Sequence, residues 1–180
     1  MYIDDNMYEI KIPAGVDVTL SDSTLTIKGK LGSTSKTINT RLVSIGIDKG
    51  KMTIGLTSNK RFAKKAALAA KSLDTELSGA IEGVEKGIER KMVVFYAHFP
   101  TTIEIKGDKI LIKNIFGEKV PRITSIVGST KVEVKGQDVT VKGVDPYDVG
   151  QTIANIRGIC YARGNDTRVF QDGIYLAKEE

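Results

Sequence analysis

The sequence predicts an α+β protein of two tandem, similar domains, each an antiparallel sheet covered by one helix. Three observations carry that expectation: a pattern that returns once along the chain, short alternating segments punctuated by turn residues, and one amphipathic helical segment in each half. Ile12-Pro13-Ala-Gly-Val16-Asp17-Val18 returns as Phe99-Pro100-Thr-Thr-Ile103-Glu104-Ile105, and Lys51-Met52-Thr53-Ile54 returns as Asp138-Val139-Thr140-Val141, both at an offset of 87 residues. Leu25-Thr-Ile-Lys28 returns as Ile110-Leu-Ile-Lys113 at an offset of 85. Two units with the same order of elements indicate a tandem duplication. The domains are expected at residues 1–86 and 87–180, since Lys86-Gly87 separates the first helical pattern from the next strand. A chain of 180 residues accommodates two domains of about 100 residues or slightly less.

Taken in order, Met7–Ile12 opens the first unit. Val16–Leu20, Thr24–Lys28 and Lys51–Leu56 follow, each with apolar residues at every second position, the signature of a half-buried strand. Ser21-Asp22-Ser23 and Lys49-Gly50 are turn residues suited to antiparallel hairpins. A helix begins near Asn59, a capping residue, and carries Phe62, Ala66, Ala69, Leu73, Leu77 and Ile81 at spacings of three and four, a core-facing stripe. Gly79, Gly83 and Gly87 are expected to loosen its end. Arg90–Phe99 opens the second unit, and Thr102–Lys106, Lys109–Lys113, Lys131–Lys135 and Asp138–Lys142 alternate in the same way. Its helix starts at Asp145, with Pro146 in the first turn and Asp148 in the favourable acidic position. Val149, Ile153, Ile156 and Cys160 form its buried stripe.

Composition excludes several functions. A single cysteine, Cys160, and a single histidine, His98, leave no disulfide framework and no cysteine-built or two-histidine metal site. No apolar run approaches the roughly 18 residues of a membrane span, and the acidic amino end, Met1-Tyr-Ile-Asp-Asp-Asn6, does not read as a signal peptide. The lone cysteine fits a reducing, cytoplasmic setting. Gly46-Ile-Asp-Lys-Gly50-Lys51 lacks the spacing of a phosphate loop and reads as a hairpin turn. Gly29-Lys-Leu-Gly32 joins strands, not helices, and reads as a basic hairpin tip. Asp166 and Asp172 have no histidine, third carboxylate or nucleotide loop beside them, so no catalytic constellation and no cofactor are expected. Lys60, Arg61, Lys64, Lys65 and Lys71 read mainly as the solvated side of the first helix.

The net charge of +5, from 27 Lys and Arg against 22 Asp and Glu, favours a polyanionic partner. The two halves share it almost evenly, so affinity must come from local placement of cations. The carboxyl end supplies it: Arg157, Arg163, Arg168 and Lys178 interleave with Tyr161, Phe170 and Tyr175. Arginine presents a planar fork to phosphate and stacks on bases. Asn165 and Gln171 can reach sugar or base edges. The expected RNA-binding set is Arg157, Tyr161, Arg163, Asn165, Arg168, Gln171, Tyr175 and Lys178, with Tyr161 and Tyr175 mainly packing or stacking. A protein–protein interaction module with incidental charge is the alternative.

Several segments carry a resemblance to a known family: Ile10-Lys-Ile-Pro13-Ala-Gly-Val16, Leu25–Gly32, Gly79-Ala-Ile-Glu-Gly-Val84, the strand Lys91–Pro100, Asn114-Ile-Phe-Gly-Glu-Lys119 and Asp166-Thr-Arg-Val-Phe-Gln-Asp-Gly-Ile-Tyr175. Over nearly its whole length the chain resembles large-subunit ribosomal protein six in its archaeal/eukaryotic form. The last segment is similar to that form's carboxyl-terminal signature and lacks the Lys/Gly-rich ending of bacterial members. The resemblance implies a non-enzymatic structural role in the cytoplasmic ribosome. It implies binding of large-subunit rRNA near the sarcin–ricin loop, mainly through the carboxyl-terminal domain, with neighbouring ribosomal proteins in contact and translational GTPases docking nearby.

Overall fold

In the computed structural model, residues 7–48, 50–56, 62–164 and 166–177 are described. The chain divides into two compact units, Met1–Gly87 and Ile88–Glu180. The first contains β1 (Tyr8–Lys11), β2 (Asp17–Ser21), β3 (Thr24–Lys28), β4 (Ser33–Thr37), β5 (Val43–Asp48), β6 (Lys51–Leu56) and α1 (Ala63–Lys86). The second contains β7 (Ile88–Phe95), β8 (Thr102–Lys106), β9 (Lys109–Lys113), β10 (Arg122–Ser125), β11 (Lys131–Lys135), β12 (Asp138–Gly143), α2 (Pro146–Ile159) and β13 (Gly173–Leu176).

Both units are α+β, with every strand pair antiparallel. The expected single sheet per unit is two sheets. One is a meander, β2-β3-β4 in the first unit and β8-β9-β10 in the second. The other pairs the unit's first strand with its last hairpin, β1-β6-β5 and β7-β12-β11, and β13 is added on the free side of β7. The polar strand Ser33–Thr37 carries no strong alternating apolar signal, and β10 is short. Each forms because its neighbour in the meander offers an unsatisfied ladder edge.

Equivalent positions are set by the ladders. Ile12 donates its N–H to Gly50 O (3.0 Å) as Val94 donates to Gln137 O (2.8 Å). Val18 pairs with Ile27 as Ile103 pairs with Ile112. The sequence match of Val16 with Ile103 is therefore two residues out of register. A shift of two leaves every side chain on its face, so alternation alone cannot detect it. Ile12 takes the position of Val94, five residues before its sequence match Phe99, and nine residues separate Val94 from Ile103 where six separate Ile12 from Val18, so the extra residues lie in the connection after β7.

The second core gathers Met92 and Val94 from β7, Ile110 and Ile112 from β9, Ile115, Val139 and Val141 from β12, Val149, Ile153 and Ile156 from α2, Cys160, and Ile174 from β13. The first buries Ile10, Leu25, Ile27, Val43, Met52 and Ile54 from its strands. The α1 stripe differs from the expected one. Its buried residues are Ala66, Ala70, Leu77, Ala80, Ile81, Gly83 and Val84, whereas Ala69 and Leu73 are half-buried and Phe62 precedes the helix with 42% exposure. Small alanines on the inner side let the helix lie close to the strands, and that close packing selects the face.

The glycines do not fray α1, which runs through Gly79 and Gly83 to Lys86 and stops at Gly87, where φ is 78°. Its last turn is clasped by the β3–β4 hairpin. Leu31 N–H donates to Val84 O (3.3 Å), and a Cβ on Gly29 would meet Val84 Cγ1 at 2.2 Å. The proposed Asn59 cap, with Lys60 and Arg61, lies outside the described residues. At α2, Asp145 Oδ1 accepts from Tyr147 N–H (2.9 Å) with Pro146 in the first turn, a cap of the kind that stabilises a helix by about 1 kcal/mol.

Candidate nucleic-acid interface

The segment after α2 has little regular structure, so side-chain contacts to backbone shape it. Asp166 Oδ1 accepts from Arg168 N–H (2.9 Å), and Asp166 O accepts from Val169 N–H (3.1 Å) and Phe170 N–H (2.9 Å). Asp carboxylates favour this turn because they mimic a backbone acceptor. Gln171 Nε2 donates to Arg168 O (3.2 Å) and Tyr175 Oη donates to Gln171 O (2.8 Å). Asp172 is buried, and its Oδ1 accepts from Ala97 N–H (2.9 Å). The two aspartates thus hold backbone amides, a structural task. β13 then closes on β7, with Gly173 opposite Phe95 and Tyr175 opposite Val93, and Ile174 enters the core.

This scaffold leaves the cations outward. Arg157, in the last turn of α2, and Arg163 and Arg168 beyond it are exposed. Among the described residues, no ion pair joins Arg168 to Asp166 or Asp172. Tyr161 is 64% exposed. Tyr175 is half exposed, with its ring lying over Gly173, about 3.4 Å from where a Cβ would stand. Arg168, Gln171 and Tyr175 form one hydrogen-bonded group, whereas Arg157 and Tyr161 belong to the helix end. Asn165 and Lys178 lie outside the described residues. His98 is exposed, edge-on to Phe99 with ring centroids 4.7 Å apart.

A second group of residues, not expected from composition, supports the segment from below. Asn114 (φ 60°), Phe116 (φ 52°) and Gly117 (φ 76°) are all left-handed. Asn and Gly tolerate that conformation, whereas a phenylalanine is strained in it by about 1–3 kcal/mol. The bend sends Ile115 into the core and holds the Phe116 ring edge-to-face with Phe170, centroids 6.5 Å apart. Arg122 lies over the same Phe116 ring at 5.6 Å. Its Nε and Nη2 donate to the two oxygens of Glu118, and its Nη1 donates to Ile159 O and to Tyr161 O (2.9 Å). The Arg122 hydrogen bonds hold the Glu118 carboxyl below its usual value against the opposing effect of burial, and the Arg122 and Arg163 charges add to them. Only the spacing of Glu118 and Arg122 by four residues could have pointed to this pair.

Burial pushes the Cys160 thiol up to about 12, with Arg122 and a backbone hydrogen bond opposing. Among the described residues, no three His, Cys, Asp or Glu gather as a metal site, and no helix is long and apolar enough to cross a membrane.

Comparison with known proteins completes the picture. Residues 99–173 match the family model described as Ribosomal protein L6. The chain is 40% identical over 172 residues to the large ribosomal subunit protein uL6 of Picrophilus torridus, covering 96% of this chain and 94% of that one. It is 38% identical over 176 residues to uL6 of Methanocella arvoryzae, covering 97% and 98%. It is 38% identical over 170 residues to uL6 of Methanosarcina mazei, covering 94% and 95%.

Proposed function

The chain belongs to the ribosomal protein L6 family, and from that premise we propose that it holds large-subunit rRNA near the sarcin–ricin loop through its second unit. The family consists of structural ribosomal proteins and is not enzymatic. The protein's place is the large subunit of the cytoplasmic ribosome, with rRNA and neighbouring ribosomal proteins as partners. Translational GTPases dock close to the bound region, whose architecture the protein keeps in order.

The observation that carries this reading is the exposure of Arg157, Arg163 and Arg168 around a segment whose backbone is tied down by Asp166, Gln171, Asp172 and Tyr175. Fixed backbone with outward cations suits phosphate recognition, because little conformational freedom is lost on binding. Arg157, Arg163, Arg168 and Lys178 serve as phosphate contacts. Tyr161 offers a ring for stacking, Tyr175 packs the strand and stacks with its free face, and Asn165 and Gln171 stand near sugar or base edges.

The test is a salt titration of binding to a transcript of the sarcin–ricin domain of an archaeal large-subunit rRNA. Log affinity falls linearly with log salt concentration, and each lost phosphate contact reduces that slope by about one unit or slightly less. Arg163→Ala with Arg168→Ala should weaken binding and flatten the slope by up to about two units. Folding should hold, because exposed arginines contribute little to stability. An unchanged slope in a folded double mutant would remove these two residues from the interface. Failure of the unmodified protein to bind would overturn the reading itself.

A further inference from the structure

We propose that Arg122 is a positioning residue for the RNA-binding segment: its guanidinium clamps the end of α2 and the following turn in place while making no RNA contact of its own. The inference rests on the functional reading above and adds a role that charge alone would assign wrongly. An arginine in a phosphate-binding domain is ordinarily counted among the phosphate ligands. Arg122 has five N–H donors, and four are directed at protein acceptors: two at Glu118 and one each at Ile159 O and Tyr161 O. Its side chain is 15% exposed, and one face of the guanidinium is occupied by Phe116.

The acceptors it chooses explain the effect. Ile159 is the last residue of α2 and Tyr161 the second after it. Their carbonyls lie at the negative end of the helix, where a cation is favoured. By joining both carbonyls, Arg122 fixes the direction in which the chain leaves α2, and so the path toward Arg163. Phe116, held in its strained conformation beneath Arg122, carries the other contact to Phe170. The segment from Tyr161 to Phe170 is thus pinned at both ends by one small cluster, with Arg163 and Arg168 between the pins. A strained phenylalanine persists only where its surroundings hold it, and here they are the buried Ile115 before it, the turn hydrogen bonds around it and the Arg122 and Phe170 contacts.

Arg122→Lys tests this, because lysine keeps the charge but cannot make a bidentate fork and reach two carbonyls as well. Two readouts are needed. In the free protein, amide hydrogen exchange of Val169 and Phe170 should be at least several-fold faster in Arg122→Lys than in the unmodified chain. With the sarcin–ricin transcript, Arg122→Lys should bind about tenfold more weakly with an unchanged salt slope, since no phosphate contact has been removed. Glu118→Gln, which leaves Arg122 intact but weakens the fork, should move both readouts in the same direction by less. Unchanged exchange would overturn the clamp whether or not the RNA binds. Full affinity in Arg122→Lys, with a slope reduced by about one in Arg122→Ala, would make Arg122 a phosphate ligand and overturn the positioning role. Absence of binding by the unmodified protein would overturn the functional reading and leave the exchange result to decide the clamp.

Discussion

At the scale of single residues, the buried thiol of Cys160 makes a measurable prediction. An unfolded thiol loses its proton near 9, whereas the folded one holds it up to about 12. Between those values the unfolded state binds fewer protons, so stability is full below about pH 9 and declines as pH rises toward 12. The slope attributable to one group is at most about 1.4 kcal/mol per pH unit. Denaturant titrations at pH 8 and pH 10.5 should show a loss in the unmodified chain that is smaller in Cys160→Ala, measured as the difference between the two proteins. Identical losses in both would mean that the thiol is open to solvent. The cap and stripe of α2, built from neighbouring residues, were readable in the sequence: Asp145 and the face Val149–Ile153–Ile156–Cys160 occupy the expected positions. Contacts between residues distant in sequence were not. Gly29 against Val84 and Arg122 against Tyr161 depend on how hairpins and helix ends meet, which local patterning does not encode.

At the scale of elements, β13 distinguishes the two units. It covers the free side of β7, and the corresponding side of β1 has no such strand among the described residues. Pro13 offers a physical account. It occupies the position equivalent to Phe95, which the ladder set by Ala177 N–H to Lys91 O turns toward β13. Proline has no N–H to donate, and with the exposed charges of Glu9 and Lys11 it blunts the edge. Ending the chain after Asp172 should therefore leave β7 with an open edge and expose the site of Ile174. We expect a stability loss of about 2–5 kcal/mol and concentration-dependent association, read by denaturant titration and sedimentation velocity. A monomeric truncated chain of full stability would show that β13 adds nothing to the sheet. The sequence pointed to an ordered extension here because aromatic and branched residues continue to the end. It did not reveal a strand, since four residues that begin with Gly173 carry too short an alternation.

At the scale of the whole molecule, each unit has its own sheets, helix and buried residues. We propose that the boundary near Lys86-Gly87 separates independently folding domains. A fragment of residues 88–180 should give a cooperative thermal transition and keep most of the affinity for the sarcin–ricin transcript. A fragment without a transition would show that the second unit depends on the first. The two-fold repetition, the first two strands of each meander and the placement of one helix after each final hairpin were legible in the sequence; β4, β5 and β10, and with them the partition into two sheets per unit, were not, because alternation identifies faces and not neighbours. The pairing of β7 with β13 also bears on synthesis. The strand that opens the second unit is finished by the strand made after every other element of that unit, whereas β1 pairs with β6 before α1 has been made. The first unit can thus settle while the chain is still growing. The second waits with an exposed edge and an incomplete core, at the slow cadence of about 5–20 residues per second, and is in that interval the half of the molecule that most needs a partner or a chaperone to shield it.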